Sequence, residues 1–212
     1  EFKTGTGTIA YDTSGVEPAT NLNLFGNVGW SSAWGVRFND GGKAQASAGS
    51  SRKIYNLIRG AGEYSIEAWV IPDNVAQGDN DNNPARIVSL SGTATERNFT
   101  LGQYNYNYSF MNRTNLSDAN GLVELATADN DERLQATLQH VVATFDPVNG
   151  RRIYVNGEYV GTGKAQYSDL KPAFTRQRVT LRKDGCEDAT YSFRRNERPD
   201  IGAIAAHRSA YF

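Results

Sequence analysis

The chain has 212 residues, a formal net charge of −1 and one cysteine, Cys186. Near neutrality removes the electrostatic case for nucleic acid or an anionic membrane, and a lone cysteine excludes an internal disulfide framework. Mean hydropathy is −0.56, and no apolar run reaches the roughly 20 residues of a membrane span. Composition, with 21 Gly, 11 Tyr and 9 Phe against one Met, favours strands and turns over helices. A chain of this length can bury a core without disulfide staples. It opens on Glu1-Phe2 with no methionine and no signal peptide, which reads as a fragment excised from a larger protein.

Gly5, Gly7 and Gly15 fall in a loose N-terminal segment without the strand-to-helix context of a phosphate loop. Residues 35–38 read as a strand. Residues 52–58 fit a helical turn through Ile54, Leu57 and Ile58, and fit an edge strand as well. Residues 65–71 (SIEAWVI) make a strong strand that Pro72 and Asp73 end. Ile66, Ala68 and Val70 share one face; Glu67, Trp69 and Ile71 share the other. Neither face is fully polar, which suits a sandwich strand with one face covered by loops. After the polar loop 78–84 (GDNDNNP), strands are predicted at 85–90, 99–103 and 106–112, with Gly, Asn and Asp between them. That rhythm belongs to a sandwich or barrel. Residues 131–138 fit one helical turn or a short strand. The clearest signal is a three-strand meander: strand 141–145, the turn DPVNG at 146–150, strand 152–155, and a return at 158–160. Asn156-Gly157 joins the last two strands as a type I′ turn, whose central residues need positive φ. The Arg-rich stretch 176–198 fits no pattern, and no repeat, linker or second domain is visible.

Four constellations bear on chemistry. Asp79, Asp81, Asn82 and Asn83, with Asn80, gather hard oxygen donors in one loop, a candidate calcium site. The loop lacks the glycine and terminal Glu of an EF-hand, and a plain solvated turn uses the same residues. Asp40 is a further donor, and Asp146 is expected to cap its own turn. Secondly, Tyr104, Tyr106, Tyr108 and Phe110 alternate with Asn105, Asn107 and Ser109. On a strand this puts aromatics on one face and amides on the other. Either the rings form a sugar-stacking platform, or they enter the core and leave Asn105, Asn107, Asn112 and Arg113 exposed to bind glycan hydroxyls. Trp30 and Trp34 flank a turn and stand as loop or sandwich-edge residues. Thirdly, Asn98, Asn107, Asn112 and Asn115 each open a glycosylation acceptor pattern. Lastly, a glycosidase needs paired carboxylates. Asp129, Asp131 and Glu132 cluster without the interleaved apolar residues of a strand, and Glu124 stands alone. His140 and His207 are the two histidines, and no Gly-x-Ser-x-Gly elbow exists. A lyase built from Arg113, His140 and a tyrosine is the enzymatic reading left.

Three segments in order and spacing, 65–72 (SIEAWVIP), 140–146 (HVVATFD) and 150–157 (GRRIYVNG), resemble the laminin-G-like, concanavalin-A-like jelly rolls. Residues 36–42 (VRFNDGG) resemble the family's strand ending in a Phe-Asp-Gly turn, and residues 201–212 its penultimate strand and loop. The likeness is best over 35–165. It implies one all-β domain over 1–212, a two-sheet antiparallel jelly-roll sandwich, secreted or on a cell surface. It further implies binding of glycans or protein ligands, often with calcium, beside neighbouring domains of a larger protein. The sequence departs from the family at 173–199, where a basic insertion or divergent loop replaces a plain loop and strand. It also stops at Phe212, before the expected last strand. The expected function is a non-catalytic carbohydrate-binding module. The alternatives are a protein-adhesion module and a polysaccharide lyase or glycoside hydrolase on the same fold. A shallow groove of Asn, Arg and Tyr would favour sugar, and a flat apolar patch would favour protein.

Overall fold

The computed structural model describes residues 2–31, 35–80, 82–128 and 132–160, and the backbone of 176–181 and 189–194. The chain divides into two units, Glu1–Gly163 and Lys164–Phe212. The first runs through β1 (Ile9–Ala10), β2 (Leu22–Phe25), β3 (Val28–Trp30), β4 (Val36–Phe38), β5 (Lys43–Gln45), α1 (Ala48–Ala61), β6 (Tyr64–Val70) and β7 (Ala85–Ser91). It continues with β8 (Arg97–Tyr104), β9 (Asn107–Asn112), β10 (Leu125–Ala126), β11 (Gln139–Asp146), β12 (Gly150–Val155) and β13 (Glu158–Tyr159). The second unit holds β14 (Arg176–Leu181) and β15 (Ala189–Arg194), an antiparallel pair inside the Arg-rich stretch.

Two four-stranded antiparallel sheets make the sandwich: β13-β12-β11-β6 and β10-β9-β8-β7. Period-two alternation decides which residues enter it. Ile66 of β6, Val141 and Ala143 of β11, and Ile153 and Val155 of β12 meet Phe99 and Leu101 of β8, Tyr108 and Phe110 of β9, and Leu125. Tyr64 bridges the layers, with its ring 5.3 Å from Phe99 and 6.0 Å from Phe145. Tyr108 and Gln139, polar groups drawn into this interior, satisfy each other. The Tyr108 hydroxyl donates to Gln139 Oε1 at 2.7 Å, and Gln139 Nε2 donates to the Arg133 carbonyl at 2.8 Å. Burial raises the Tyr64 and Tyr108 phenols above their ordinary range, so both remain donors. A smaller sheet, β1-β2-β5, and the pair β3-β4 complete the first unit.

The ambiguous 52–58 segment is helical. Ser47 caps α1 by accepting the Ser50 N–H at 3.1 Å. Gly62 ends it at φ 75°, donating to the Ile58 carbonyl. Ile54 and Ile58, four apart on one helix face, pack on the core.

Two predicted elements are corrected. The strand expected from Tyr106 begins at Asn107, because Asn105 (φ 43°) and Tyr106 (φ 69°) are the tip of a hairpin between β8 and β9. The tip is held from outside, with the Tyr106 N–H donating to the Val75 carbonyl and the Tyr106 carbonyl accepting from Leu134 N–H. Residues 132–138 are neither helix nor strand: Leu134 is buried, and the Gln139 side chain takes up the Arg133 carbonyl and the Gln135 N–H.

Candidate functional site

The aromatic row read from the sequence is split by that hairpin. Tyr108 and Phe110 are core, Tyr104 ends β8, and Tyr106 sits on the tip, 43% exposed. The amides expected on an open face are not there: Asn107 is 7% and Asn112 4% exposed. Asn112 points inward and accepts the Tyr64 hydroxyl. Asn107 lies on the outer side of β9, where its Oδ1 accepts from the Thr127 hydroxyl at 3.1 Å. Of the six predicted ligand residues, Asn105, Tyr106 and Arg113 are exposed and Tyr104 is half-buried. The tip and Arg113 flank opposite ends of β9, about 20 Å apart at strand rise, and so form no single site.

The outer side of β8 and β9 is closed by loops, whereas the expectation put loops over one face of β6. Pro84 lies over Gly102, where a Cβ would come within 3.1 Å of its ring and strike the Ala85 carbonyl at 2.7 Å. Arg97, fully buried, donates to the Asn82 carbonyl at 2.9 Å, to Asn83 Oδ1 at 3.4 Å and toward Met111 Sδ. Desolvation lowers its pKa. The Asn82 carbonyl also accepts from Asn120 Nδ2.

This geometry bears on calcium. Asp79 Oδ2 accepts from Asn83 Nδ2 at 2.6 Å, and Asn80 Oδ1 accepts from Asn82 N–H at 3.0 Å. The remaining amide oxygen of Asn83 and the Asn82 carbonyl face a guanidinium. A dication brought to these donors would meet a fixed positive charge, so the described donors do not fit calcium. Asp81 lies outside the described residues. Among the described residues no group of three His, Cys, Asp or Glu is placed to hold a metal. Asp40 sits exposed in a turn, and Asp146 caps its turn through Val148 and Asn149 N–H.

The enzymatic candidates are dispersed. His140 faces outward on β11, whereas Arg113 follows β9 in the other sheet. Glu132 is exposed, and Glu124 is half-buried, with its charge near Arg151. Asp129, Asp131, Trp34, Cys186 and His207 lie outside the described residues. Trp30 is half-buried in β3, its indole N–H donating to the Gly7 carbonyl.

What the sequence did not single out is the outer face of β6-β11-β12-β13. Register assembles it from residues far apart in the chain. Trp69 lies opposite His140; Glu67 lies opposite Val142, which lies opposite Tyr154, which lies opposite Tyr159. Trp69 is 66% exposed and Tyr159 52%. The His140 ring stacks on the Trp69 indole at 4.5 Å and 22°, and Nε2 donates to Glu67 Oε1 at 2.7 Å. The carboxylate thereby holds the imidazole ring plane against the indole, which is itself largely exposed. Tyr154 and Tyr159 pair at 5.5 Å. Desolvation raises the Tyr159 phenol, which keeps its hydroxyl a donor. Arg152, in the next row, donates to Asn149 Oδ1 at 2.9 Å, and Arg133 pairs with Glu158 at the β13 edge. Open rings beside hydrogen-bonding heads can stack on one face of a ligand and bond its hydroxyls.

A family model described as concanavalin A-like lectin/glucanases superfamily matches residues 40–194. No curated protein and no solved structure matches the chain.

Proposed function

We propose that this chain, which belongs to the concanavalin A-like lectin/glucanase superfamily, is a non-catalytic module that binds polysaccharide. It would work within a larger secreted or cell-surface protein. The observation that carries this reading is the open face of β6-β11-β12-β13, where Trp69 and Tyr159 stand exposed beside Glu67, His140 and Tyr154. Sugars present an apolar ring face and equatorial hydroxyls, and this face offers a complement to each. A protein partner is favoured less, because charged and polar heads interrupt the rings, whereas interface centres are depleted in charge. Hydrolysis is favoured less again, because the residues in register with Glu67 are Val142, Tyr154 and Tyr159 and supply no second carboxylate.

The test is a glycan array on the purified chain, followed by titration of Trp69→Ala against the best binder. Loss of one stacked ring should weaken binding roughly tenfold or more, with melting temperature unchanged because the ring is on the surface. Undiminished binding by Trp69→Ala would remove this face from the site.

A further inference from the structure

The open face carries aromatic rings at two places, and their separation says what length of ligand it suits. Trp69, backed by His140, stands on the edge strand β6. Tyr154 and Tyr159 stand together on β12 and β13, at the far side of the same sheet. Register puts the tyrosines level with Glu67, two residues along β6 from Trp69. Strand spacing and rise then set Trp69 and Tyr154 roughly 12 Å apart, with Tyr159 one strand further. Between the stations, on β11, lie His140, which backs the indole, and Val142, which is level with Glu67 and Tyr154. One sugar ring covers one indole; reaching both stations takes at least a trisaccharide.

We infer that the face binds the interior of an extended, uncharged polysaccharide chain lying across the strands, held at Trp69 and at the Tyr154–Tyr159 pair together. This rests on the glycan-binding reading above. Charge supports the uncharged class: Glu67 near one station and Arg152 beside the other are of opposite sign, and Arg133 is paired with Glu158. Such a face exerts no single-signed pull on a polyanion. The outermost rings of the two stations, Trp69 and Tyr159, are both exposed, which suits a chain interior better than a chain end. Joining two weak stations through one ligand makes the second contact intramolecular, so affinity should climb steeply once the ligand spans both.

The test is calorimetric titration of the whole chain with size-graded β-linked oligosaccharides of glucose, xylose, mannose and galactose, from disaccharide to hexasaccharide. The expected result, for at least one series, is a Kd that falls roughly tenfold or more beyond the disaccharide and then levels. Trp69→Ala and the double variant Tyr154→Ala/Tyr159→Ala should each abolish that length dependence while keeping the native melting temperature. Tyr154→Phe, which keeps the ring, should retain it. Binding with equal Kd at every length would overturn the two-station inference and leave the glycan reading standing. Binding to no series would overturn both.

Discussion

Tyr106 holds φ 69°, a conformation that costs a side-chain-bearing residue about 1–2 kcal/mol and glycine nothing. Its backbone is fixed from both sides, by the Val75 carbonyl and the Leu134 N–H, so the strain is compensated by bonds that any residue would make there. Tyr106→Gly keeps those bonds and supplies the residue that type I′ turns prefer at this place. It should stabilise the domain by about 1 kcal/mol in chemical denaturation, less what the half-exposed ring loses in packing. It should also leave glycan affinity unchanged, since the tip belongs to β8 and β9 and the open face belongs to the other sheet. A variant that melts lower, or binds more weakly, would return the tip to consideration as the ligand site.

Between elements, the contact most open to test joins the N-terminal segment to α1. Asp12 pairs with Lys53 and accepts the N–H groups of Thr20 and Ser14, while Lys53 also donates to the Val16 carbonyl. The Lys53 ammonium first, and those N–H bonds second, hold the Asp12 carboxyl far below the usual carboxylate range. An unfolded Asp titrates at about 3.9. The stability this group adds is therefore full above that value and is lost as pH falls toward the depressed folded value. Asp12→Asn should melt below the parent at neutral pH, and the gap should close as pH drops under about 4; melting curves across that range decide it. How far the elements were legible follows from the same local chemistry. β11 through β13 could be read because alternation and Asn156-Gly157 fix both period and turn without help from the rest of the chain. The β8–β9 turn could not, since no local signal marks a tyrosine at positive φ; the partners that hold it, Val75 and Leu134, are distant in sequence. Helix α1 was half legible: its apolar spacing was visible, and the cap at Ser47 with Gly62 resolves it. For the site, alternation in 65–71 put Glu67 and Trp69 on one face and Ile66, Ala68 and Val70 on the other, but which face is core and which receives a loop cover is a tertiary fact. The reading therefore placed the ligand on β9, where Pro84, Asn82 and Asn83 close the surface.

At the scale of the whole molecule, four acceptor sequons meet one packed sandwich, and the packing sorts them. Asn98 is half-buried in β8; Asn107 and Asn112 are buried in β9; Asn115 is exposed in the turn that follows. The Nδ2 atom of Asn112, the one that would carry a glycan, is enclosed without a partner, and its Oδ1 is engaged by Tyr64. A glycan at Asn112 excludes the native β9, and one at Asn107 has to displace the Thr127 contact from a closed layer. Expressed through an N-glycosylating secretory host, the soluble protein should carry glycan at Asn115 and none at Asn107 or Asn112, while chains modified at those two sites collect in the insoluble fraction. Ser109→Ala removes the Asn107 sequon and should change stability by under about 0.5 kcal/mol, because the Ser109 hydroxyl is itself buried without a partner. Thr114→Ala removes the Asn112 sequon and spares Asn115. The double variant should raise soluble yield from that host and leave yield from a non-glycosylating host unchanged. Glycopeptide mass spectrometry of both fractions reads the outcome. Glycan found at Asn112 in soluble protein with native melting behaviour would contradict the inward placement of that residue, and with it the register of β9 against β8.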